Sequence, residues 1–145
     1  MWKLSLLLST SFLLSGCQTT ADGSLPASEL KVISGPAASA VAGDMAARFA
    51  EQIGPGGKTA FLPDKGPPEI ASALEAALKG WGYTIVSAEK DRNAAKPVKL
   101  GWSIDEIDGQ VLARIWTPTI ALGRTYKLTT AGAEPASPLS VLRRN

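Results

Sequence analysis

The stretch Val98-Lys99-Leu100-Gly101-Trp102-Ser103-Ile104-Asp105-Glu106-Ile107-Asp108-Gly109-Gln110-Val111-Leu112-Ala113-Arg114-Ile115-Trp116 decides the fold. Val98, Leu100, Trp102 and Ile104 alternate with polar or small residues, which is the period of a strand with one face buried. Asp108-Gly109 supplies a hairpin turn, because both residue types accept the positive φ angles that such a turn requires. Beyond it, Val111, Ala113 and Ile115 fall on one face, while Leu112, Arg114 and Trp116 fall on the other. Thr117-Pro118 breaks the chain, and Ile120, Leu122, Tyr126 and Leu128 describe a further strand whose phase Arg124 interrupts.

Upstream lie two helical patterns. In the clearer one, Pro67-Pro68 suits a first turn that needs no donors, and Glu69 complements the positive helix end. Ile70, Leu74, Ala77, Leu78 and Trp81 then form an apolar stripe, which Gly80 and Gly82 end. A strand over 83–87 follows, and the polar stretch 89–96 reads as a loop. The earlier helix begins at Ala40, with Val41, Met45, Phe49 and Ile53 inward and Asp44, Arg48 and Glu51 elsewhere, and stops at Gly54-Pro55-Gly56-Gly57. A short strand over 58–62 lies between the helices. The order αβαββββ predicts an α+β fold. A small single domain over 40–130 packs two helices on one face of a mostly antiparallel, four- to five-stranded sheet. Residues 131–145 form a Pro-containing C-terminal tail that either packs along the domain edge or adds to a partner as a strand.

The N-terminus has a different chemistry. Lys3 is followed by an apolar run from Leu4 to Leu14, too short for the roughly 20 helical residues a bilayer demands but suited to a removable signal peptide over 1–16. Leu14-Ser15-Gly16-Cys17 resembles the bacterial lipobox, which implies cleavage between Gly16 and Cys17 and lipidation of Cys17. Covalent diacylglyceryl and N-acyl lipid on Cys17 would then be the only non-protein group, with no other cofactor. Two or three acyl chains, at about 0.8 kcal/mol per buried methylene, give stable attachment to membrane lipid. Gln18 in place of an Asp points, by resemblance to Gram-negative lipoproteins, to the outer membrane. Residues 17–39, rich in Ser, Thr, Ala, Gly and Pro, read as the lipidated terminus and a flexible tether.

Composition removes other functions. The chain has no His, and its one Cys is Cys17, so histidine-based catalysis, disulfides and Cys/His metal sites are excluded. No catalytic residue and no metal site is expected, and the protein is read as not an enzyme. Asp105, Glu106 and Asp108 form a tight acidic cluster, but a hairpin turn is where acids serve backbone donors and stay hydrated. With Lys3 gone, 14 Lys and Arg face 13 Asp and Glu without runs of like charge, so direct nucleic-acid binding is not expected. No small-molecule substrate is expected either.

Residues 73–84 (Ala73-Leu74-Glu75-Ala76-Ala77-Leu78-Lys79-Gly80-Trp81-Gly82-Tyr83-Thr84), Asp108-Gly109-Gln110-Val111-Leu112-Ala113-Arg114 and Ala121-Leu122-Gly123-Arg124-Thr125-Tyr126 resemble the TrbH family of conjugal transfer lipoproteins. The likeness runs from about Val41 to Asn145 and includes the lipobox. It implies an accessory structural component of a conjugative type IV secretion (mating-pair formation) apparatus, in contact with other subunits of the channel and facing the periplasm. The alternative is a general envelope binding module or an assembly factor for another outer-membrane complex. Leu112, Arg114 and Trp116 are the candidate partner-contact row, since Trp and Arg are frequent binding hot spots. The competing reading makes Trp116 ordinary core.

Overall fold

The computed structural model describes residues 33, 35–56, 59–87 and 96–145. The signal segment, Gly16, Cys17 and residues 18–32 lie outside the described residues, as do residues 88–95, which include all but the last residue of the expected loop 89–96. The elements are α1 (Gly35–Ile53), β1 (Ala60–Pro63), α2 (Pro68–Gly80), β2 (Thr84–Ile85), β3 (Val98–Ile107), β4 (Gln110–Trp116), β5 (Ile120–Thr129), β6 (Gly132–Pro135) and β7 (Ser140–Arg143).

β3, β4 and β5 form the expected antiparallel meander, with Asp108 and Gly109 both at positive φ in the hairpin turn. β1 pairs in parallel with β2 on one side and with the start of β3 on the other. The parallel β1–β2 pair is joined through α2, the kind of crossover a parallel pair requires. The C-terminal segment read as a tail belongs to the sheet: β6 and β7 both pair antiparallel with β5, at its opposite ends. The sheet therefore has seven strands rather than four or five, in the order β2-β1-β3-β4-β5-β6 with β7 also on β5.

Both helices cover one face. Val41, Met45 and Phe49 enter the core as their spacing predicts, together with Ala38, Ala42, Ala46 and Ala50, one turn apart. This alanine row lets α1 lie close against its neighbours, and it starts before Ala40 because α1 begins at Gly35. Ile53, expected inward, is 40% exposed at the helix end. On α2, Ile70, Leu74 and Leu78 are buried and Ala77 packs against the core. Trp81 leaves the stripe: it caps the helix, its N–H bonded to the carbonyls of Ala77 and Leu78, and its ring is largely in water. At the same end, Phe61 meets Phe49 and Tyr83 edge to face at 5.5 and 5.2 Å between ring centres, Phe49 and Tyr83 lie tilted at 6.1 Å, and the three rings lock α1, β1 and the α2–β2 turn together. Tyr83 also donates its hydroxyl to the Gly54 carbonyl.

Candidate functional site

Strand alternation settles which side chains each face presents. Val111, Ala113 and Ile115 are buried toward the helices, with Trp102 and Ile104 opposite on β3 and Leu122, Arg124 and Tyr126 on β5. Leu112, Arg114 and Trp116 therefore point to the other face, which no described element covers. Leu112 and Trp116 are half-buried by their sheet neighbours and Arg114 is exposed.

The row is held in place from below. Gly101 lies beside Trp116 in the register, and a Cβ there would sit 2.2 Å from the indole, so the missing side chain is what lets the ring lie on the sheet. Arg114 runs its stem past Gly123 and sends Nε to the Ser103 hydroxyl at 3.1 Å and Nη2 to Asp105 at 2.7 Å. Ser103 donates in turn to the same Asp105 oxygen. With Arg114 and Asp105 each about half exposed, this pair adds less than about 1 kcal/mol of stability; its effect is to fix the guanidinium direction. It also gives Asp105 a partner within the acidic cluster, while Asp108 serves the turn. Among the described residues no group of three His, Cys, Asp or Glu could hold a metal.

The register extends the row beyond the three residues read from sequence. Trp116 pairs with Ala121, and Ala121 with Leu142 of β7, which is 56% exposed. Gly101, Trp116, Ala121 and Leu142 thus form an apolar band across four strands. The sequence signal for Leu142 was only its place in a short apolar run.

A second polar arrangement lies on the helix side. Arg124 faces inward, and its Nη1 meets Asp44 of α1 at 2.9 Å while its Nε donates to the Ser137 carbonyl. Tyr126 donates its hydroxyl to the same Asp44 oxygen at 2.7 Å, and Arg48 approaches the other oxygen at 3.5 Å. Burial first, then the bond to and charge of Asp44, push the Tyr126 hydroxyl far above the ordinary tyrosine range; burial alone raises Tyr83. Asp44, expected away from the core, is thus the polar joint between α1 and the sheet. The available signal was the charged Arg124 at an inward strand position, which demands a buried partner. The cluster ties α1 to β5 and to the connection between β6 and β7.

Among the described residues no helix is long and apolar enough to cross a membrane. The family described as "Conjugal transfer protein TrbH" matches residues 19–145. A protein of Sinorhizobium fredii named as a probable conjugal transfer protein TrbH is 56% identical over the whole of both chains. No solved structure matches.

Proposed function

The chain belongs to the TrbH family of conjugal transfer proteins, and from that premise we propose that it is an outer-membrane lipoprotein acting as an accessory structural part of a conjugative type IV secretion apparatus. Diacylglyceryl and N-acyl lipid on Cys17 hold it to the bilayer, and its domain faces the periplasm. Its partners are other subunits of the channel. It performs no catalysis.

The observation that carries this reading is the open sheet face. A two-layer domain that covers one face with helices and leaves Leu112, Arg114 and Trp116 on the other, with the indole seated on Gly101, presents pre-oriented groups for protein contact. Anchoring supplies the rest of the mechanism. The 16 steps from Cys17 to Ile33 span at most about 55 Å when fully extended. The domain is thereby confined to a thin shell where its effective concentration toward a neighbouring channel is high, and modest contacts suffice.

The test has two arms. Cys17→Ser should abolish fatty-acid labelling and move the protein out of the outer-membrane fraction; unchanged labelling and fractionation would remove the anchor. Trp116→Ala with Arg114→Glu should leave the unfolding transition in place but reduce plasmid transfer and the co-purification of channel subunits. Wild-type transfer by that folded variant would remove the contact face. Co-purification with a different outer-membrane complex, and none of the transfer subunits, would replace conjugation by the general binding module.

A further inference from the structure

We infer that the free edge of β7 is a second docking site, which takes up an extended segment of a partner protein with alternating apolar and acidic side chains. The inference depends neither on lipid anchoring nor on the row centred on Trp116. It starts from the backbone. Arg144 donates its N–H to the Thr119 carbonyl, beyond the pairs Ile120–Arg143 and Ala121–Leu142. In an antiparallel ladder, bonding alternates along the strand, so Ser140, Leu142 and Arg144 turn their peptide groups toward β5. Val141 and Arg143 turn theirs outward, to an edge with no strand beside it among the described residues.

Natural sheets blunt such edges with proline, charge or cover. This edge does so only in part: Pro135 ends β6 and Pro138 lies in the connection, but no proline falls within 140–143. Every residue of β7 is exposed, Val141 at 40% and Leu142 at 56%. Main-chain groups on an open edge, flanked by apolar side chains, are what strand addition uses.

Charge selects the occupant. Arg143 is bound to the neutral carbonyl and side-chain oxygen of Gln52, and no carboxylate among the described residues pairs with Arg143 or Arg144. A strand beside β7 would place one side chain next to Leu142 on the open face, continuing the apolar band from Trp116 and Ala121, and the next on the helix side beside the Arg143 guanidinium. Apolar and acidic residues in alternation satisfy both conditions.

The experiment titrates the full chain with a fluorescent peptide alternating valine and glutamate, with a valine–lysine peptide as control. Amide exchange is followed at Val141 and Arg143. The acidic peptide should bind, slow exchange at both amides and outcompete the lysine peptide. Val141→Pro removes an outward N–H but no bond to β5, and should weaken binding about tenfold with the unfolding midpoint held. Arg143→Glu, whose guanidinium reaches Gln52 and no atom of β5, should weaken it as well. Unprotected amides, equal binding of both peptides, or undiminished binding by either variant would overturn the inference. So would concentration-dependent dimerisation lost in Val141→Pro, which would make the occupant a second copy of this chain.

Discussion

Asp44 receives Arg124, Tyr126 and Arg48 from three directions, so its removal leaves charges unmatched in a partly dry place. Asp44→Ala should cost about 2–3 kcal/mol, read as a lower urea midpoint at unchanged slope, whereas Tyr126→Phe should cost about 1 kcal/mol. The same residues set the alkaline limit of the fold. Tyr126 and Tyr83 are the chain's two tyrosines, and both have hydroxyls held above their ordinary range. Their contribution is complete below about pH 10; above it the unfolded chain releases these protons first, and stability falls as pH rises. Tyrosinate absorbance should therefore appear together with loss of far-ultraviolet dichroism, and independent titration near pH 10 in the folded protein would contradict the burial. The Asp44–Arg124 joint was not legible as a pair, because its members lie 80 residues apart and helix periodicity assigns Asp44 to solvent. Only the broken phase at Arg124 marked one half of it.

Close approach governs the next scale. Gly56 donates its N–H to the Trp81 carbonyl, and a Cβ at Gly56 would fall 2.1 Å from the Gly82 backbone, which cannot turn aside; Gly56→Ala should destabilise by about 3 kcal/mol or more. Gly101→Ala meets the Trp116 indole instead, a side chain with somewhere to go, and should cost about 1–2 kcal/mol; on the proposed function it should also reduce partner co-purification. Deleting residues 140–145 should prove costly for a segment that reads as a tail. It uncovers Ile120 and Leu122, each only 2% exposed, and should lower stability by about 3 kcal/mol in thermal or urea unfolding. The hairpin of β3 and β4 and helix α2 were legible because each carries a full period with its own punctuation. β6 and β7 were not, since four-residue strands with prolines between them hold their shape only through β5. The first turns of α1 were hidden because Gly35, Pro36 and a run of alanines have the composition of a linker while making the contacts of a helix.

Across the whole molecule, the two groups of buried residues share Ala73, Trp102 and Ile104 along their border, so the layers should not come apart separately. Near- and far-ultraviolet dichroism should report one coincident urea transition, and a split transition would show two independent units. Strand alternation alone separated Leu112, Arg114 and Trp116 from Val111, Ala113 and Ile115, but which set the helices cover was not legible, because the pattern carries no sign of the side on which they pack. The full width of the open face was not legible either, because Leu142 joins it only through pairings made beyond the meander. β7 also follows in the chain every element it holds: it lies on β5, and Arg143 reaches back 91 residues to Gln52. Until β7 docks, the folding chain carries an unfinished β5 edge, and contacts this distant are slow to close.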